Sequence, residues 1–270
     1  MDLQLKGKAC LVTGSNTGIG EVVAKTLARE GARVAVHGRD AVRTRAVADE
    51  ICRAGGEAVA TVGDLSSRAD ADRVAETALA AFGAIDVLVN NAGHGNPRGP
   101  VEWMDTTEED FLKIYDDNVV SGVRMIHRLV PQMKQRKWGR IIMISSAAGA
   151  QPIAQMPDYG ATKAAIINYT VSLSKALART GVTANCVSPG PIKTALLKRE
   201  LVDGLAAQFG WGTDEAVVDQ RCAEFFDLPA GRLGSCEDVG NLVAFLASPL
   251  TDFITGSNYR VDGGMVKSVN

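Results

Sequence analysis

The sequence predicts a doubly wound α/β fold: a seven-stranded parallel sheet with helices on both faces. Three observations predict it. Short Val/Ile-rich runs alternate with helix-length segments along the whole chain. Val/Ile-rich runs of this kind suit strands covered on both faces. The first run, Lys8 to Val12, turns through glycines directly into a helical pattern.

Strands are expected at Ala9–Val12, Arg33–His37, Ala58–Val62, Asp86–Asn90, Arg140–Ile144 and Thr183–Val187, with a last one at Asn258–Val261. Helical segments lie near 19–30, 41–54, 67–82, 107–136 and 159–180. In the first of these, Ile19, Val22, Val23, Thr26 and Leu27 carry the helical period. Gly31, Gly55, Gly56, Gly83 and Gly181 stand where helices should stop. No linker, low-complexity tract or short repeat interrupts the pattern, so residues 1–270 read as one domain.

Composition excludes several classes. With 46% hydrophobic and 22% charged residues the chain has ample core material and no disorder signature. A net charge of −2 and a pI near 6.0 argue against nucleic acid as a partner. No apolar run approaches a membrane span, and Met1 to Lys6 lacks the layout of a signal peptide. The five cysteines, at 10, 52, 186, 222 and 236, form no Cys-x-x-Cys pair, so neither a zinc site nor a disulfide framework is implied. Reduced thiols and a cytoplasmic location are expected. His37, His94 and His127 are dispersed, so no metal site is expected.

The opening motif carries the first chemistry. Gly14, Gly18 and Gly20 are spaced G-x-x-x-G-x-G. Glycines let the backbone approach an anion and let the helix pack tightly on the strand. The helix then directs unpaired N–H groups and its positive dipole end at that anion, as a pyrophosphate site requires. Doubly wound sheets bind ligands outside the carboxyl ends of their strands, so the residues after each strand matter most.

After the second strand comes Gly38-Arg39-Asp40. An acidic residue there would bind a ribose 2′-hydroxyl; Gly38 followed by Arg39 suits a 2′-phosphate instead. Asp40 is placed to neutralise Arg39 in part. Asp64 and Leu65 follow the third strand, with Asp64 either an adenine contact or a helix cap. Asn90-Asn91-Ala92-Gly93 forms a small polar turn after the fourth, and His94 next to it is placed to line a cleft. Asn118 falls inside a helical pattern, where asparagine is disfavoured. Ser145 and Ser146 end the fifth strand. Tyr159 and Lys163 are i and i+4 on one helix face, where an ammonium beside a phenol favours the phenolate.

Thr13-Gly14-x-x-x-Gly18-x-Gly20, Asn90-Asn91-Ala92-Gly93, Ser146, Tyr159-x-x-x-Lys163 and Ser188-Pro189-Gly190-Pro191 occur in order at suitable separations. Together they resemble the short-chain dehydrogenase/reductase family. The likeness continues through Gly231-Arg232-Leu233-Gly234 and Glu237-Asp238-Val239 to Phe253-Ile254-Thr255-Gly256 and Val261-Asp262-Gly263-Gly264. Three positions depart from it. Cys236 stands where proline is frequent, Asp117 where an apolar residue is usual, and Ser121-Gly122 where several members have a shorter stretch.

The resemblance implies a Rossmann-type domain and an oxidoreductase moving a hydride between a nicotinamide cofactor and a carbonyl or secondary alcohol. It implies Tyr159 as general acid–base and Lys163 as ribose ligand and activator of the tyrosine. Ser146 would hold the reacting oxygen and Asn118 a relay water. The cofactor set it implies is Gly14, Ser15, Thr17, Gly18, Ile19, Gly20, Arg39, Asp64, Leu65, Asn91, Ala92, Gly93, Tyr159, Lys163, Pro189, Gly190, Ile192 and Thr194. NADP(H) is preferred on account of Arg39, with NAD(H) the alternative. A homotetramer, or a homodimer, is implied, with the helices near 107–136 and 159–180 paired across a two-fold.

The substrate region should be 194–230, with helical patterns at Ala195–Phe209 and Asp214–Phe226. Leu196, Leu197, Leu201, Leu205, Phe209, Trp211, Phe225 and Phe226 either cover the nicotinamide as a lid or pack on the body. Alternative activities are an NAD-linked secondary-alcohol or sugar-alcohol dehydrogenase and a 3-oxoacyl carrier-protein reductase. The latter would need a basic surface, for which Arg124, Arg128, Lys134, Arg136 and Lys137 are candidates. A non-catalytic dinucleotide-binding regulator would lack part of the Ser–Tyr–Lys set, and this chain keeps all of it.

Overall fold

The structure, a computed structural model, describes residues 1–95 and 103–268. Seven strands, β1 (Ala9–Val12), β2 (Arg33–Gly38), β3 (Glu57–Val62), β4 (Val87–Asn90), β5 (Gly139–Ile144), β6 (Val182–Pro189) and β7 (Asn258–Val261), pair in the order β3-β2-β1-β4-β5-β6-β7. Every pairing is parallel. All residues of β1, β4, β5 and β6 are buried, whereas the edge strands β3 and β7 are mostly half-buried. Burial on both faces explains why the inner strands read as unbroken apolar runs.

Within each strand the side chains still alternate between two cores. Ala9 and Leu11, Leu88, and Ile141 and Met143 face one; Cys10 and Val12, Val87 and Val89, and Ile142 and Ile144 face the other. Helices α3 (Arg68–Phe82), α5 (Ser121–Gln135) and α6 (Pro157–Ala176) cover the first core. Helices α1 (Gly18–Arg29), α2 (Ala41–Arg53) and α10 (Cys236–Ala247) cover the second. Each fully buried Val, Leu or Ile contributes about 1.5–3 kcal/mol.

Strands β2 and β3 lie on one side of β1, and the chain then returns to place β4 on the other. The strand order therefore reverses between β1 and β4, and a crevice opens at their carboxyl ends.

The structure corrects three expectations of secondary structure. The pattern over 107–136 is not one helix. It is α4 (Glu108–Tyr115), a π turn (Asp116–Val120) and α5. Asn118 sits in the π turn, a distortion that adds a residue per turn and re-aims side chains. Helix α10 went unread, although Ser235 and Asp238 form a full capping box at its start. The 195–209 pattern is likewise interrupted, into α7 (Ala195–Leu197), a π turn (Lys198–Val202) and α8 (Asp203–Phe209), followed by α9 (Glu215–Phe225). No helix among the described residues is long and apolar enough to cross a membrane.

Candidate functional site

The turn after β1 is built by backbone contact. Gly14 has φ +62°, and a Cβ there would lie 2.9 Å from Ala92 Cα. A Cβ on Gly20 would lie 2.3 Å from Gly14 O. Thr13 Oγ1 accepts from the N–H groups of Asn91 (2.9 Å) and Ala92 (3.0 Å). Asn91 Nδ2 donates to the carbonyls of Thr13 and Gly14. The turns after β1 and β4 are thus one clamped unit. Thr17 precedes α1 in extended conformation without a side-chain cap, so the first-turn N–H groups take no bond from it. Thr194 Cγ2 stands across from Gly18, 3.7 Å from where its Cβ would be.

Ser15 is corrected. Its hydroxyl donates to Val12 O at 2.7 Å and accepts from His37 N–H at 2.9 Å, and its own N–H donates to His37 O. It braces the turn and has no N–H or hydroxyl proton left for a phosphate. Two residues outside the sequence-derived set do more. Asn16 folds over Gly38, where a Cβ would lie 2.4 Å from Asn16 Cγ. His37 accepts from Gly14 N–H on Nδ1 (3.0 Å) and donates from Nε2 to Gly63 O (3.1 Å). A histidine within an apolar strand, opposite a glycine turn, was the available signal.

A cleft of about 320 Å³ lies along these turns, lined by Gly14, Asn16, Thr17, Arg39, Asp64, Leu65, Asn91, Ala92 and Gly93, with His94 and Asp117. Arg39 is exposed at its edge. Asp40 is otherwise engaged: it caps α2 through the N–H groups of Val42 and Arg43, and its carboxylate faces Arg43 Nε at 3.6 Å. Asp64 accepts from Ser66 N–H and Oγ, while Ser67 caps α3, so Asp64 is not the cap. Burial works to raise the Asp64 pKa; the bonds from Ser66 and the charges of Arg39 and Lys113 outweigh it, leaving the carboxyl below its ordinary value.

Beyond the β4 turn Asn118, Lys163 and Tyr159 come together, with Ser146 on the turn that seats α6. Ser145 is buried and donates to Lys163 O at 2.7 Å, so it anchors α6; Ser146, half-buried, is left at the strand end and caps the turn at Ala147–Gly149. A Cβ on Gly149 would lie 2.7 Å from the Lys163 carbonyl carbon, which shows how tightly that turn seats α6. Lys163 is buried; its Nζ donates to Ile144 O at 3.2 Å and lies 5.4 Å from the Tyr159 ring centroid. Asn118 donates from Nδ2 to Thr162 Oγ1 (3.1 Å) and to His94 O (2.9 Å), and accepts from His94 N–H (2.9 Å). Thr162 lies between Tyr159 and Lys163, so the π turn ties α6 to the β4 turn.

Ile19 packs in the second core, and Ile192 is buried and bridges to Gly234. Pro189 and Gly190 end β6, and a Cβ on Gly190 would lie 2.7 Å from Asp262 Cα. The 194–230 region packs around a small cluster that includes Val202, Val218, Cys222 and Leu228, with Leu233 joining from beyond it. Leu205 is buried, while Phe209 stacks on Trp211 and Phe225 meets the two tilted and edge-on, both phenylalanines half exposed. Beside them a cavity of about 890 Å³ opens between α8 and α9.

The chain belongs to the short-chain dehydrogenase family, whose profile matches residues 8–203. It is 34% identical to the 3-oxoacyl (acyl-carrier-protein) reductase of Escherichia coli strain K12, covering 97% of this chain and 99% of that one. It superposes on the crystal structure of L-sorbose reductase from Gluconobacter frateurii, complexed with NADPH and L-sorbose, with TM-score 0.92 and 31% identity over the full length of both. A 7α-hydroxysteroid dehydrogenase structure with NADH and a 7-oxo bile acid matches with TM-score 0.85 at 31% identity, covering 100% of this chain and 98% of that one. The chain is a nicotinamide-dependent oxidoreductase acting on carbonyl or alcohol groups.

His37 makes the glycine turn sensitive to acid. Burial pushes its pKa down from 6.5 to about 4, and Gly14 N–H needs its Nδ1 lone pair. The unfolded chain takes up this proton near pH 6.5 and the folded chain near 4. Stability from this group is therefore full above about 6.5 and is lost as pH falls towards 4, by about 3 kcal/mol. His37→Gln, which keeps an acceptor but cannot titrate, is expected to flatten that acid limb in melting curves recorded between pH 4 and 7.

Proposed function

We propose that this enzyme is an NADP(H)-dependent reductase of ketones, or dehydrogenase of the matching secondary alcohols, with Tyr159 as its general acid–base. The observation that carries the reading is the seating of Tyr159 and Lys163 on one face of α6, against the turn that Ser146 caps. The glycine cradle and the uncapped start of α1 fit a dinucleotide pyrophosphate. When bound, the nicotinamide supplies or accepts the hydride. Ser146 donates to the substrate oxygen and Tyr159 gives it the proton as negative charge develops there. Lys163 keeps a buried positive charge beside the phenol and binds the nicotinamide ribose. Asn118 holds the turn and α6 in register.

Preference for NADP(H) is supported by Arg39 standing unpaired by Asp40 at the cleft edge. It is also supported by the crowding over Gly38, which leaves no room for a hydroxyl-binding carboxylate. Asn16 adds a second polar group on that side. The NADPH complex of the sorbose reductase agrees with this preference, whereas the steroid dehydrogenase structure holds NADH. Of the basic candidates for a carrier-protein surface, Arg124, Arg128 and Arg136 pair with Asp116, Asp72 and Asp86, which leaves Lys134 and Lys137. The 194–230 region is the substrate lid in this reading.

A homotetramer is part of the same proposal. An apolar groove on α5 and α6, lined by Ile126, Val130, Pro131, Tyr169 and Leu173, suits a two-fold contact. Phe253, 99% exposed after α10, offers a second.

Three outcomes are expected. Tyr159→Phe lowers kcat at least about a hundredfold while dinucleotide titration shows binding retained; more than a tenth of the rate surviving would remove tyrosine from the role. Arg39→Ala weakens NADP(H) about tenfold to a hundredfold, the size of a lost charge-assisted bond, and leaves NAD(H) affinity unchanged; an unaltered ratio would move the NAD-linked alternative to first place. Light scattering gives four chain masses for the wild type and two for Phe253→Asp; a monomer at micromolar concentration would refute the assembly.

A further inference from the structure

We propose that Thr162 is a positioning residue for Tyr159. Its hydroxyl ties the first turn of α6, which carries the tyrosine, to the π turn and through it to the turn after β4. This role presupposes Tyr159 as general acid–base, as read above.

Tyr159 stands where a helix is least held. It is the third residue of α6, and Met156 before the helix supplies no side-chain cap. The N–H groups of a first turn have no intrahelical acceptor, so such a turn depends on side chains around it. Two side chains hold the backbone of Tyr159. Asp158 Oδ1 accepts from its N–H at 2.7 Å. Thr162 Oγ1 donates to its carbonyl at 2.8 Å. A helical threonine readily bonds back to the carbonyl three residues before it.

The direction of each bond along this line is fixed. Asn118 Oδ1 accepts from His94 N–H at 2.9 Å, so its amide nitrogen points the other way. Both Nδ2 protons are engaged, one on His94 O at 2.9 Å and one on Thr162 Oγ1 at 3.1 Å. The Thr162 oxygen therefore receives a proton from Asn118 and keeps its own for Tyr159 O. His94, Asn118, Thr162 and Tyr159 form one directed line, and hydrogen bonds in line strengthen one another. Thr162 and Asn118 are both buried, which keeps water from replacing either bond. A Cβ on Gly93 would lie 2.9 Å from Asn118 Oδ1, so the line begins hard against the turn after β4.

Loss of the hydroxyl leaves Asn118 with an unbonded proton and Tyr159 with one anchor fewer. Lys163 keeps its bond to Ile144 O, and its carbonyl keeps Ser145. The turns after β1 and β4 stay clamped through Thr13 and Asn91. The effect thus falls on where the phenol stands and spares the cleft along the glycine turn.

The test compares three variants. Thr162→Val matches the shape and lacks the hydroxyl. Thr162→Ala also lacks it and places the best helix former in α6, which guards against misfolding. Thr162→Ser restores it. Each is assayed with NADPH and the ketone that wild type reduces fastest in a panel of 3-oxo esters, cyclic ketones and ketoses. The valine and alanine variants are expected to lose about tenfold to a hundredfold in kcat, the scale of a reacting group displaced by up to about 1 Å. Their Kd for NADP⁺ and binding stoichiometry should match wild type. Thr162→Ser is expected to stay within about twofold of wild type, since it offers the same donor and acceptor. The solvent deuterium isotope effect on kcat should grow in the two variants without a hydroxyl, because proton transfer from a displaced phenol slows relative to the hydride step. It should return to the wild-type size with serine. A merely structural role would lower the melting temperature and the fraction that binds NADP⁺ without moving the isotope effect. Wild-type kcat without the hydroxyl, or a fall that serine does not reverse, would overturn the positioning role. Tyr159→Phe is measured alongside. If it keeps more than about a tenth of the rate, the acid–base reading falls and the role of Thr162 with it. If it is inactive while the Thr162 variants match wild type, that reading stands and only the positioning role is lost.

Discussion

Backbone pressed against backbone at the strand-order reversal is the constraint on which the rest of this structure depends. The turns after β1 and β4 meet so closely that no side chain fits at Gly14 or Gly20. Thr13 and Asn91 close the seam by bonding each other's main chain. His37 joins it from β2, so three strands hold one anion-facing turn. Each polar group in this seam is buried or half-buried and has a partner, and an orphaned one would cost about 1–3 kcal/mol. The turn is rigid because loosening any one member leaves another unpaired.

The same device recurs at the other end of the crevice. Gly149 allows the turn after β5 to touch the backbone of α6, and Ser145 bonds the Lys163 carbonyl. A buried ammonium is costly unless the surrounding dipoles face it; Ile144 O supplies one at 3.2 Å. The two halves of the site are then linked through Asn118, whose amide spans the β4 turn and Thr162. The cleft along the glycine turn and the proposed proton-transfer residues are thereby fixed to one another by the π turn.

The 194–230 region obeys a different logic. It packs around its own small core and leaves Phe209 and Phe225 half exposed beside a large cavity. That small cluster is separate from both main cores, and Leu233 and Met265 join it from outside the segment.

The sequence by itself determined the strand–helix alternation, the glycine turn and the residues after each strand. Those signals are local: apolar runs, a 3.6 period and glycines at a tight turn need no knowledge of distant contacts. Tyr159 and Lys163 were legible because four residues on a helix always share a face. Only the tertiary structure decided which of two adjacent groups faces the site. Ser15 and Ser145 turn inward as braces, while Asn16 is left facing the cleft and Ser146 caps the next turn, because the partners that select between them, His37 and Lys163, are 22 and 18 residues away. The break at Asp116–Val120 was likewise hidden, since a π turn keeps helical composition and is imposed by the contacts of Asn118 and Asp117 with His94. Pairing across the fold, not propensity along it, set these positions.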